Sequence, residues 1–295
     1  MLSKYIYNSF ESNLITSDTL RELLSQLNLF QCAKCSHCQS DLAIHKDNSK
    51  ADGIRFSCKG CRKSFDIRKF TLFSTLRIKL KEILAIILYF SQSMPNEEII
   101  RRTSVSRQSV CKVLRIVREK IFEYINDSTT TLGPENVVEI DETLIARRKY
   151  NRGRIVQQQW LFGAIERNSG NFILKTVSKR DSDTLGAIIR DFISSDSTVY
   201  SDQWPAYAKI FSENFSYCHA TVNHSREFVN HINSQIHTQT IESLWSCLKR
   251  FLRARNLRNR EKIEFYLAEF TFRKLNYELS PIQLFEKIIN IVFNV

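Results

Sequence analysis

The chain reads as a multidomain α+β/α/β protein: a small cysteine-held ribbon and a helical hairpin, followed by one larger mixed-sheet domain. Three observations predict this. Two Cys-x-x-Cys pairs, Cys35/Cys38 and Cys58/Cys61, enclose nineteen residues. A polar stretch from Asp127 to Glu135, closed by Gly133-Pro134, separates two halves of different character. Beyond it, strand-type patterns come first in a row and then alternate with helical ones.

Composition narrows the partners. Forty-three Lys and Arg against thirty-one Asp and Glu leave a net charge of +12 and a sequence pI near 9.4 over 295 residues. That excess favours a polyanion, nucleic acid first. No run of eighteen apolar residues is present, and the first ten residues, M-L-S-K-Y-I-Y-N-S-F, lack a signal-peptide core. The expectation is a soluble, intracellular protein with no membrane partner. Seven glycines and four prolines argue against repeats and disorder.

Residues 1–30 read as a helical segment through Leu20, Leu23, Leu24 and Leu27. Residues 31–70 follow as a zinc ribbon. Five of the eight cysteines crowd there, and two-residue gaps in a reducing compartment indicate metal ligation rather than disulfides. Cys35, Cys38, Cys58 and Cys61 form the best four-thiolate set for a structural Zn2+. Cys32 pairs equally well with Cys35 by spacing, so the first pair stays open. Residues 71–130 hold an apolar helix from Leu80 to Phe90, a short helix after Pro95, a break at 103–105 and a Ser106-capped helix to about Tyr124. This is helix-turn-helix spacing. Val110, Val113, Leu114 and Val117 face inward, which leaves Arg107, Gln108 and Lys112 as candidate DNA contacts.

Residues 131–295 are expected to form one catalytic domain. Val137–Ile140 is a strand ending on Asp141, and 147–154, R-R-K-Y-N-R-G-R, is a basic hairpin turn. Strands 160–167 and 171–177 join at Asn168-Ser169-Gly170. A helix capped by Asp181 or Ser182, a strand at 198–202, a helix from Trp204 and a strand at 217–224 follow. A helix from Thr240 to Arg255 comes next. Three antiparallel strands and then alternating helices and strands are the element order of an RNase H-like fold.

The carboxylates fall at telling places in that order. Asp141 ends the first strand, Asp202 ends the fourth, and Glu242 lies on the helix that would cross both. Three converging acids repel unless a cation compensates them. Two divalent ions would do so and would also activate a water or a 3′-hydroxyl. On the 240–255 helix, Ile241, Leu244, Trp245, Leu248 and Leu252 form the apolar stripe. Lys249 follows Glu242 after two turns, and Arg250, Arg253 and Arg255 extend a basic run suited to phosphates.

E-I-D-E-T, R-K-Y-N-R-G-R, W-L-F-G-A-I-E-R, S-D-Q-W-P-A-Y, V-N-H-S and H-T-Q-T-I-E-S-L-W-S-C-L-K-R together resemble the catalytic domain of Merlin-type DNA transposases. That group is related to bacterial insertion-sequence transposases. The resemblance implies a cut-and-paste enzyme of the DDE type that binds terminal inverted repeats and cleaves and transfers DNA strands. It implies Asp141, Asp202 and Glu242 as ligands of two Mg2+ or Mn2+ per active site, and Lys249 as a DNA contact. Double-stranded DNA, as transposon end and as target, is the implied partner. A homodimer or higher homo-oligomer on DNA is expected, because two ends must be joined. The expected location is the nucleus in a eukaryotic host and otherwise the cytoplasm. Two rivals share much of this pattern: a non-catalytic DNA-binding protein derived from a transposase, and an RNase H-like nuclease that joins no strands.

Overall fold

The computed structural model describes residues 15–27, 29–30, 34–128, 131–133, 136–145, 159–213, 216–222, 236–255 and 262–293. Two compact units result. One comprises Met1–Tyr124 with Asn276–Val295, the other Ile125–Leu275.

In the first unit, helix α1 (Ser17–Gln26) is capped by Thr16, whose hydroxyl accepts the Thr19 N–H at 3.2 Å, and it buries Leu20, Leu23 and Leu24. Strands β1 (Leu42–Lys46), β2 (Ile54–Cys58) and β3 (Ser64–Asp66) form an antiparallel sheet in that order. Ile54, Phe56 and Cys58 alternate inward along β2, as a half-buried strand requires. Helix α2 (Leu80–Ser91) is buried at almost every position, as its near-continuous apolar sequence demands. Its first N–H, that of Leu80, donates to the buried Asp52 carboxylate at 2.6 Å, and the other Asp52 oxygen faces the Arg68 guanidinium at 2.9 Å. A carboxylate distant in sequence thus serves as the helix cap.

Helices α3 (Asn96–Thr103) and α4 (Arg107–Asp127) are joined by three residues. Ser104 turns the chain at φ +54°, and Ser106 caps α4 by accepting the Ser109 N–H at 3.3 Å. Val110, Val113, Leu114 and Val117 are buried, as their spacing predicts.

The last helix, α9 (Pro281–Phe293), also belongs to this unit. Phe293 packs against Phe30 and Phe73, and Ser91 donates its hydroxyl to the Pro281 carbonyl. The expectation of a single domain over 131–295 is corrected accordingly. The apolar side of α9 finds its partner in α2, far upstream, and composition cannot show which surface a C-terminal helix will cover.

The second unit is built on strands β4 (Val137–Leu144), β5 (Trp160–Glu166), β6 (Phe172–Val177), β7 (Thr198–Asp202) and β8 (Cys218–Val222). The spatial order is β6-β5-β4-β7-β8. The first three strands pair antiparallel, while β4/β7 and β7/β8 are parallel. Helix α5 (Ser182–Phe192), capped by Asp181 on the Thr184 N–H at 2.9 Å, and helix α6 (Pro205–Ser212) make the crossovers. Helices α7 (Gln239–Ala254) and α8 (Ile263–Leu275) follow the sheet. This is the RNase H-like arrangement that the element order predicts.

The sheet is covered on both faces. Val138, Ile140, Phe162, Ala164 and Val199 pack with Leu185, Ile189, Tyr207 and Phe211 on the α5/α6 side. Leu161, Ile165 and Phe172 pack with Ile241, Leu244, Trp245, Leu248 and Phe270 on the α7/α8 side. Residues 139, 141 and 143 of β4 alternate with the first set and therefore face α7.

Candidate active site

Asp141 does not end its strand as expected, since β4 runs on to Leu144, while Asp202 is the last residue of the neighbouring parallel strand β7, close enough for its charge to act on Asp141. The parallel register pairs Val137 with Thr198, Val138 with Val199 and Glu139 with Tyr200. Pairing stops there, and the same offset continued two residues further would bring Asp141 level with Asp202. In parallel strands, registered neighbours share a face. Burial pushes the Asp141 carboxyl up to about 7, opposed by a hydrogen bond from Trp245 and reinforced by the charges of Glu142 and Asp202. The Trp204 N–H donates to Asp202 Oδ1 at 2.9 Å and fixes the turn that leaves β7.

Glu242 is carried to this face by α7, which two tertiary hydrogen bonds pin to β4. The Ile241 N–H donates to Glu139 Oε2 at 3.0 Å, and Trp245 Nε1 donates to Asp141 Oδ2 at 2.9 Å. Glu242 lies between these anchors, one residue after the first and three before the second, on the first turn of the helix. The three carboxylates do not draw as tight as the four cysteines do: among the described residues, only the cysteines bring their ligand atoms within 4.8 Å of one another. The donor types are nonetheless what a hard divalent cation takes: carboxylate oxygens from three elements, two of them on neighbouring interior strands of the sheet.

Glu139 is the residue that sequence reading passed over. It is fully buried and accepts from Arg167 Nε at 2.6 Å, Thr240 Oγ1 at 2.8 Å and the Ile241 N–H, with His237 Nδ1 at 3.5 Å. The Thr238 side chain makes no cap bond, so this distant glutamate caps α7 in its place. The signal was present in V-V-E-I-D-E: in a strand, an acid two before Asp141 must share its face. Gly163 is a second missed residue. It pairs with Asp141 across β4/β5, and a Cβ there would lie 2.5 Å from the Trp245 ring.

Glu142 points to the other face, as the alternation predicts. It is buried and accepts from Arg180 at 2.9 and 3.0 Å and from the Tyr207 hydroxyl. Arg180 in turn lies between the rings of Trp160 and Trp204, at 4.3 and 4.1 Å. Also on this side, His219 stacks on Phe211 at 4.0 Å, and its Nε2 is 2.8 Å from Ser201 Oγ. Burial lowers the His219 pKa to about 4. The unfolded chain therefore takes up this proton first as pH falls, and stability drains away between about pH 6.5 and 4. Partial solvent access brings the expected loss to about 1–2 kcal/mol. Urea titrations across that window should show a shallower pH slope for His219→Phe than for wild type. Parallel slopes would remove His219 from the account.

Lys249, Arg250 and Arg253 are exposed on α7. Arg255 is not so placed: it donates to the buried Glu269 at 2.8 and 3.1 Å, beside Arg273, and covers the Phe251 ring at 3.5 Å. In the first unit, Arg107, Gln108 and Lys112 are exposed, with Arg107 held by two 2.6 Å bonds to Glu97. The basic turn at 147–154 and Cys32 lie outside the described residues.

The cysteine centre is built from two like knuckles. The Gln39 N–H returns to the Cys35 carbonyl and the Arg62 N–H to the Cys58 carbonyl, each from a residue at φ +58°. Sulfur separations are 3.7 Å for Cys35/Cys61 and 3.3 Å for Cys38/Cys58. Tetrahedral Zn2+ with ligands at about 2.3 Å sets sulfurs about 3.8 Å apart, so the four residues fit that ion. Hydrogen bonds from Ser40 hold the Cys38 thiol down to about 6, towards the ligating thiolate.

Residues 133–274 match the ISXO2-like transposase domain. An uncharacterized transposase-like protein of Haemophilus influenzae is 33% identical over 109 residues, which cover 37% of this chain and 85% of that protein. The chain belongs to the bacterial insertion-sequence transposases. The expected kinship with insertion-sequence transposases is thereby met, and the matched segment contains Asp141, Asp202, Glu242 and Lys249. Among solved structures, the HTLV-2 integrase catalytic core domain in complex with magnesium is 18% identical, with a TM-score of 0.34, over 52% of this chain and 94% of that one. The BIV integrase catalytic core domain is 14% identical, with a TM-score of 0.33, over 52% and 95%. Among the described residues, no helix of this insertion-sequence transposase is long and apolar enough to cross a membrane.

Proposed function

We propose that this transposase cleaves DNA at terminal inverted repeats and transfers the freed ends to a target, in the cut-and-paste manner. The observation that supports the reading is that Asp141 of β4 and Asp202 at the end of β7 come from adjacent parallel strands, close enough for the charge of one to act on the other, on the face that α7 covers. These three acids would hold two Mg2+ or Mn2+ ions, which supply a nucleophile at neutral pH and stabilise the leaving oxygen. The protein's share is placement. β4 and β7 would supply two carboxylates, and α7 the third, while Lys249, Arg250 and Arg253 on its exposed side would meet backbone phosphates.

In the first unit, α3 and α4 act as a helix-turn-helix, with Arg107, Gln108 and Lys112 reaching base edges at the transposon end. The cysteine centre holds Zn2+ and keeps the ribbon folded beside it. Two or more copies act together, because two ends meet in one event.

The test uses linear DNA carrying the sequences that flank the gene, with the full chain and Mg2+. Strand nicks at the inverted ends, followed by joined products, are expected. DNA binding without nicking would convert the reading to a DNA-binding derivative, and nicking without end preference or joining would make the protein a nuclease. For the ribbon, Cys58→Ser should reduce bound zinc from about one ion per chain to near none and expose residues 34–66 to protease. Full zinc content in that variant would remove Cys58 from the ligand set.

A further inference from the structure

Trp245 is 4% exposed and sits on the buried stripe of α7, where packing alone accounts for a large ring. Packing does not account for its polar atom. Nε1 donates to Asp141 Oδ2 at 2.9 Å, so the one indole N–H is spent on a carboxylate that faces the candidate cation site. The opposing strand is shaped to allow this. Gly163 pairs with Asp141, and a Cβ at that position would stand 2.5 and 2.7 Å from ring atoms Cη2 and Cζ2, and 3.2 Å from Ile241 Cδ1. The ring therefore occupies the volume that any side chain at 163 would claim.

We infer that Trp245 is a positioning residue: seated in the notch left by Gly163, it holds the Asp141 carboxylate in one orientation for a divalent cation. This rests on the reading of Asp141 as a cation ligand. The physical reason is preorganisation. A carboxylate turns about its Cα–Cβ and Cβ–Cγ bonds, and a donor fixed in the core removes that freedom before a cation arrives. The same helix carries Glu242 one turn earlier, so a single rigid element orients one acid and delivers another.

The test is Mn2+ titrated into the zinc-loaded full chain without DNA, with uptake read from the spin-resonance signal of free Mn2+. Trp245→Phe keeps an aromatic ring and loses only the N–H. It should bind Mn2+ on the order of tenfold to a hundredfold more weakly, while its urea midpoint stays close to that of wild type. Gly163→Ala keeps every donor but displaces the ring, and it should weaken Mn2+ uptake in the same direction; it decides the matter if Trp245→Phe does not fold cooperatively. Wild-type Mn2+ affinity in the deciding variant overturns the inference. Asp141→Asn separates the two levels. If that change abolishes uptake while Trp245→Phe does not alter it, only the positioning role falls. If Asp141→Asn binds Mn2+ as wild type does, or wild type takes up none, the cation site itself falls, and the positioning role with it.

Discussion

Asp141→Asn and Asp202→Asn should each abolish Mg2+-dependent strand cleavage, by about a thousandfold or more, and leave affinity for duplex DNA within about twofold. Asn keeps the shape of the side chain, and its amide oxygen still accepts the Trp245 N–H. What is lost is the negative charge, and with it the capacity to hold a hard cation. Folding should not suffer. Burial, reinforced by the charges of Glu142 and Asp202, pushes the Asp141 carboxyl up to about 7, so a neutral side chain there removes a desolvation penalty and some repulsion. Cleavage of labelled end DNA, filter binding and a urea titration on the same preparations check all three statements. Near-normal cleavage by either variant would remove the acid concerned from the active site.

Glu139→Ala should be the most destabilising single change in the second unit, at about 3–5 kcal/mol. The deletion removes the acceptor shared by three donors: Arg167 Nε, the Thr240 hydroxyl and the first-turn N–H of Ile241. Cleavage should be lost together with stability, because Glu242 is the next residue on the loosened turn. Glu139→Gln keeps an oxygen for the helix and should cost less, about 1–2 kcal/mol, with part of the activity retained. Urea unfolding beside cleavage rates distinguishes the outcomes. An alanine variant within about 1 kcal/mol of wild type would show that α7 does not depend on this cap.

Much of this design could be read from residue order. The two cysteine pairs announced the knuckles, because two-residue spacing is a local property of a tight turn. Val110, Val113, Leu114 and Val117 announced the buried side of α4, because helical period is local as well. Asp202 and Glu242 stand out in the sequence because one ends a strand and the other opens a helix, whereas Asp141 lies inside β4, which runs on to Leu144. Glu139 was not legible, since an acid inside an apolar strand is explained only by what it meets. Arg255 misled in the opposite way: in sequence it continues a basic run, yet Glu269 on α8 takes its guanidinium.

By itself, the order of amino acids determined the types of element and the four-cysteine cluster, which follow from periodicity and short-range spacing. Only the tertiary structure decided that α9 folds back onto α2, that Gly163 makes room for Trp245, and that Glu139 takes the first-turn N–H of α7. The physical reason is range. Helical and strand periods are set over a few residues, whereas a buried carboxylate is satisfied by whichever donors the chain brings to it from a hundred residues away.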